Sequence, residues 1–257
     1  MPFTKELALA VGPHVALDHL LFVFIVLVSP LIDCYWFYPR LRRAVEAGVP
    51  GARSRAYFKG ILGQWGVTVV VLGLWAWRGR PWWGLGLYAP SPLRLGLGFA
   101  LTAIVLGLLV AQRRALFARP ERFELVRRQV ESAVPLLPHT ATERQGFRLL
   151  AITAGICEET LFRGYVFWYV SVWTGPLFGA AIGTILFGAA HLYLDRRSAV
   201  KAGIAGAIMT LLVFVSDALW PAMLLHAAID LNSGDLAFRA LTRKREGDAT
   251  PGVPAAA

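Results

Sequence analysis

Seven apolar runs constrain this chain more than any other feature. They fall at about 15–37, 57–77, 93–111, 147–172, 176–194, 202–215 and 219–231, and each is dominated by Leu, Val, Ile, Ala and Phe. A helix crossing the hydrocarbon core of a bilayer needs about 20 such residues, so six or seven crossings would use about half of a chain this long. The composition agrees, with 56% of residues apolar and only 16% charged. Open strands would leave unpaired backbone in hydrocarbon, and no ten-residue alternating pattern of a membrane barrel recurs. The expected fold is all-α: a polytopic bundle of about seven transmembrane helices with any active site in an intramembrane cavity. The first run follows a Lys5-Glu6 pair and is too long for the apolar region of a signal peptide, so it is expected to be a retained span. Cys34 and Cys157 lie in or beside spans and suggest neither a disulfide framework nor a four-ligand zinc site.

A net charge of +10 would point to nucleic acid in a soluble protein, but the positions of the basic residues give another reading. Six fall between Arg40 and Lys59, eight between Arg113 and Arg148, three between Arg196 and Lys201, and four between Arg239 and Arg245. These 21 occupy alternate loops, whereas the other side holds Lys5, Arg78, Arg80 and Arg94, and Arg163 lies inside a span. The positive-inside rule then sets the N-terminus outside and the C-terminus in the cytoplasm of an inner or plasma membrane. Trp82, Trp83, Trp168, Tyr169, Trp173 and Trp220 would form the outer aromatic belt, and Tyr35 to Tyr38 the inner one. The expected partner is the bilayer, with attraction to anionic headgroups and no nucleic acid. Alternating charges between Arg113 and Arg148, including Glu121, Glu124, Glu131 and Glu143, suit a solvated surface helix before Pro135 and Pro138. The tail from Glu246 is expected to be disordered. These features divide the chain into N-terminal spans with a cytoplasmic loop (1–145), a core (146–240) and a C-terminal tail (241–257).

Ionisable groups within spans are costly, about 2.5 to 3.5 kcal/mol each even on lenient scales, so their clustering marks a site. The fourth span carries Glu158, Glu159 and Arg163, the fifth His191, and the seventh His226 and Asp230. Glu159 and Arg163 are four residues apart, in the order that favours an ion pair, whereas Glu158 points about 100° away. Glu158 is therefore the free carboxylate, suited to take a proton from water. Phe187 with His191, and His226 with Asp230, are also four apart and share a face. A carboxyl beside an imidazole can fix its tautomer. Asp18, His19 and Asp33 lie near the ends of the first span, where water is closer, and receive no role.

Glu158-Glu159-x-x-x-Arg163, Phe187-x-x-x-His191 and His226-x-x-x-Asp230 resemble, in order and spacing, the three motifs of the CPBP family of intramembrane proteases, the CAAX-processing and bacteriocin-processing group also called ABI. The resemblance spans about 155–232, close to a third of the chain, and the 82–87 segment Trp-Trp-Gly-Leu-Gly-Leu looks like one often seen ahead of this core. It implies a membrane endopeptidase that cuts a membrane-embedded or lipidated protein or peptide with activated water. On this resemblance Glu158 is the general base, His191 helps hold the water, and His226 with Asp230 stabilises the oxyanion. Glu159, Arg163 and Phe187 would support the site.

The family has been described both as metalloproteases and as glutamic proteases. No His-Glu-x-x-His motif is present and a glutamate-activated water needs no ion, so no cofactor is expected, although His191, His226 and Glu158 could ligate a divalent metal such as zinc. Asp230 stands where Asn is common. An ionised aspartate only accepts hydrogen bonds, so either it is protonated or it orients His226. The seventh span is expected to stop near Asn232, which puts His226 about 9 Å deep and opens the cavity to the cytoplasm. Two other readings are a transporter or proton pathway and a catalytically silent immunity or binding protein.

Overall fold

The computed structural model describes residues 10–117, 127–128 and 130–242. Lys5, Glu6, Glu121, Glu124 and the tail from Glu246 lie outside the described residues. Within them run seven long helices and no strand: α1 (Ala16–Glu46), α2 (Ala52–Trp77), α3 (Pro92–Phe117), α4 (141–174), α5 (Pro176–Ala190), α6 (Arg196–Ser216) and α7 (Trp220–Thr242). Four of them, α1, α2, α3 and α6, are long and apolar enough to cross a membrane, and α5 is apolar but shorter. Helices α4 and α7 carry the charged motif residues, which lower their mean hydropathy. The protein is thus a helical, membrane-type bundle.

Helix α4 is the axis of the bundle, packing on α7 along one side and on α2 and α5 along others, while α6 and α3 complete the ring around α7. Its start is fixed by a capping box, in which Thr140 Oγ1 accepts from the Glu143 amide at 3.2 Å and Glu143 Oε2 accepts from the Thr140 amide at 3.2 Å. Glu143 also lies 3.7 Å from Arg53, so this residue joins α4 to α2 rather than extending a charged surface helix before Pro135. Close approach to α7 requires Gly155, where an added Cβ would meet the Ala227 amide nitrogen at 2.7 Å and the Met223 carbonyl at 2.9 Å. Immediately after Glu159, residues Thr160–Val166 form wider turns with i→i+5 hydrogen bonds, a local expansion common at functional sites.

The 82–87 segment is a structural plug. Trp82–Leu85 makes one tight turn, Leu85 is buried, and the Leu219 amide donates to the Gly86 carbonyl at 3.0 Å, tying the plug to the start of α7. Gly86 sits at φ +72°, a left-handed conformation that L side chains rarely adopt.

Two expectations about the end of the bundle that holds Arg80 change. Trp168 is buried against Trp75 rather than placed in an interfacial belt. Arg80 does not report loop topology either, because its guanidinium forms a bidentate pair with Asp18 at 2.6 and 2.9 Å beneath the faces of Trp168 and Trp75. Tyr165 on α4 donates to the Asp18 carbonyl at 3.0 Å and its carboxylate at 3.1 Å. Asp18 is fully buried and locks α1, the turn after α2 and α4 together. Beside this lock His14 stacks on Tyr169, and desolvation pushes its pKa down to about 4.

Candidate active site

The three motifs converge where α4, α5 and α7 meet. Glu159 Oε1 accepts from Arg163 Nη1 at 3.0 Å and from His226 Nδ1 at 2.7 Å, so one buried oxygen joins α4 to α7. The pairing of Glu159 with Arg163 agrees with their spacing. The orientation of His226 does not follow from spacing alone. Asp230, its i+4 neighbour, lies 3.7 Å from Nε2, whereas the carboxylate hydrogen-bonded at Nδ1 is Glu159. A carboxylate only accepts, so Nδ1 carries the proton and Nε2 is the nitrogen turned towards the remaining acids. Glu158 Oε2 lies 3.8 Å from Nε2, beyond direct hydrogen-bond reach.

Helix α5 ends at Ala190, which puts His191 in the following turn rather than within a span that continues to Leu194. Its Nδ1 lies 2.9 Å from the Phe187 carbonyl. A carbonyl can only accept, so Nδ1 is the protonated nitrogen, and in a neutral ring Nε2 keeps its lone pair. Phe187 is the hub of this corner. Its ring lies 4.9 Å from that of His191 and 5.9 Å, edge-on, from that of His226, with the Arg163 guanidinium stacked 4.0 Å away. Gly206 on α6 lets this stack close, because a Cβ there would meet Arg163 Nη2 at 2.7 Å and Phe187 at 3.0 Å.

Two cavities meet at His191. The larger, about 410 Å³, lies between α1, α2 and α4 and has Glu158, Gln64, Asp33 and Tyr193 in its wall with His191. The smaller, about 200 Å³, is lined by Phe187, His191, His226 and Asp230. Glu158 and His191 thus face one space while His191, His226 and Asp230 face the next. Among the described residues no three His, Cys, Asp or Glu side chains are grouped to hold a metal ion.

Residues 144–232 match the family model described as Type II CAAX prenyl endopeptidase, Rce1-like. Over these residues the chain is similar to the CPBP/CAAX protease family. The match contains every motif residue of the CPBP core, Glu158, Glu159, Arg163, Phe187, His191, His226 and Asp230, and it points to a protease. Comparison with curated proteins and with solved structures gave no match.

Two polar residues of the cavity wall, Gln64 and Asp33, lie outside the matched segment, and neither was given a role from sequence. Gln64 on α2 donates through Nε2 to Glu158 Oε1 at 2.9 Å, so Glu158 is not an unpartnered carboxylate. One of its oxygens is held and the other remains turned into the site. Asp33 on α1 lies in the same cavity as Glu158 and His191 rather than at a solvated helix end. A polar amide inside an apolar run was the available signal for Gln64, and the cost of an acid within a span was the signal for Asp33.

Proposed function

We propose that the chain is an intramembrane endopeptidase of the CAAX-processing type, hydrolysing a peptide bond of a membrane-associated or lipidated protein or peptide. Glu158 acts as general base: it takes a proton from water, the resulting hydroxide attacks the scissile carbonyl, and the proton passes to the departing amine. Gln64 holds Oε1 of Glu158, which leaves Oε2 for the water. His191 accepts from or positions that water through Nε2. His226, fixed at Nδ1 by Glu159, presents Nε2 to the developing oxyanion as an imidazolium, and Asp230 beside it balances that charge. Arg163 acts as a positioning residue through Glu159. The proposed chemistry runs through protein groups and water alone.

In the proposed topology all seven helices cross or enter the bilayer, with the N-terminus outside and the C-terminus in the cytoplasm. The observation that carries the catalytic reading is that Glu158 and His191 line one cavity while Glu159 holds His226 from behind. A transporter would require paired repeats of broken helices, and the chain has no such pair in its sequence.

The test uses wild type and Glu158→Ala in proteoliposomes with a panel of membrane-anchored peptides, prenylated and unprenylated. Glu158-dependent cleavage of at least one peptide, undiminished after dialysis against a chelator, is expected. Cleavage that does not need Glu158, or no cleavage across the panel, would overturn the reading.

A further inference from the structure

Five residues beyond Asp230 on α7, Asp235 is surrounded by guanidinium groups. Arg148 Nη2 donates to its two oxygens at 2.9 and 3.1 Å, Arg144 Nε lies 3.6 Å away, and Arg113 from α3 reaches within 4.0 Å. Each guanidinium carries about five N–H donors, and a carboxylate offers about four acceptor sites, so one aspartate cannot occupy what Arg144 and Arg148 present. Their side chains are 34% and 40% exposed, against 16% for Asp235, which places the charge they do not spend on Asp235 at the surface.

The height of the cluster matters as much as its charge. Arg113 lies at the end of the apolar length of α3, a helix able to cross a membrane. One turn back on the same face, Val110 is exposed, and one turn beyond Arg148 on α4, Ile152 is exposed. Basic groups thus sit within a turn of exposed apolar side chains on both α3 and α4. A free anion would need only the arginines. A phospholipid would use both parts, its phosphate on the guanidiniums and its acyl chains against Val110 and Ile152.

We infer that Arg113, Arg144 and Arg148, organised by Asp235, form a binding site for the phosphate of an anionic phospholipid. The inference rests on a membrane-embedded chain and not on the proposed catalytic chemistry. The occupied site would tie α4, which carries Glu158 and Glu159, to α7, which carries His226. Arginine is suited to this because its planar fork bonds two phosphate oxygens at once.

Binding is measured on the purified full chain with a short-chain phosphatidylglycerol, a phosphatidylcholine of the same chain length, and inorganic phosphate. Wild type should prefer phosphatidylglycerol over phosphatidylcholine, and free phosphate should compete poorly. Each arginine near an anionic headgroup is worth about fivefold in binding, so Arg144→Gln/Arg148→Gln should weaken phosphatidylglycerol binding by more than about tenfold. Arg42→Gln, a basic residue on α1 paired with Glu46, should leave it unchanged. Asp235→Asn gives the opposite sign: freeing the guanidiniums should strengthen binding by about fivefold even as it removes ties between helices. A merely structural cluster would lose stability in both variants and gain no affinity in either. Unchanged lipid preference in the double variant, weaker binding in Asp235→Asn, or equal competition by inorganic phosphate would overturn the inference.

Discussion

Helix α4 contributes to two buried ionic clusters that differ in what they leave unspent. In one cluster, Asp18 and Arg80 exchange two hydrogen bonds, the Pro13 carbonyl takes another from Arg80 at 3.0 Å, and the Val15 amide and Tyr165 hydroxyl complete the carboxylate. No polar atom of Asp18 or Arg80 is buried without a partner among the described residues. Around Glu159 the accounting stays open: Glu159 Oε2, Arg163 Nη2 and Gln64 Oε1 are buried without a hydrogen-bond partner among the described residues, and the cluster borders two cavities. A buried charge is therefore a weak sign of chemistry by itself. The useful distinction is between a closed pair that locks helices and an open one whose remaining groups face a space that a substrate could enter.

Breaking the closed pair should have the largest effect on stability. Arg80→Met leaves Asp18 buried and uncompensated and should cost about 3 to 5 kcal/mol of stability. Asp18→Asn/Arg80→Met should recover much of that loss, as read by thermal unfolding in detergent, with the cleavage rate per folded molecule near wild type. The open cluster should respond to small displacements instead. Gly155→Ala forces α4 away from α7, costs about 1 to 3 kcal/mol of stability, and should lower cleavage by more than the loss of folded protein, because the Glu159–His226 contact stretches. Gln64→Leu removes one hydrogen bond to Glu158 and should slow cleavage by about tenfold with little change in unfolding temperature.

The smallest effect is a pH dependence beside the lock. His14 has a folded pKa of about 4, against 6.5 unfolded, so between those values the unfolded chain binds a proton that the folded chain refuses. Its contribution to stability is present above pH 6.5 and is lost as pH falls towards 4. His14→Phe should flatten the unfolding temperature across that window. An unchanged slope would show that His14 is not held neutral by its aromatic neighbours.

Much of this was legible in the sequence. Apolar runs located all seven helices because lipid-facing composition leaves little alternative to a helix, but they missed polar ends: α1 runs on to Glu46, and α7 continues through Asn232 to Thr242 instead of stopping there. The i,i+4 rule found the Glu159–Arg163 pair because both residues belong to one turn. It could not find the Glu159 contact to His226, which joins residues on different helices, nor Gln64, whose partner lies 94 positions away. The apolar pattern starts α4 at Phe147, although Thr140 and Glu143 spell a capping box that begins the helix six residues earlier, at Ala141. Asp18 was passed over for a different reason. Its depth in the first span was judged by distance from water, and the partner that permits burial, Arg80, had been counted as a loop charge. Asp33 is likewise not at a solvated helix end, because it lines a cavity between helices.

The central claim is that Glu158, held by Gln64 and facing His191 across a cavity, performs the chemistry. Glu158→Gln keeps the shape and the neighbours while removing the base, so cleavage rate and unfolding temperature of this one variant test the claim together. The account predicts a rate about a thousandfold or more below wild type with an unfolding temperature within a few degrees of it. Retention of wild-type cleavage by folded Glu158→Gln would contradict it.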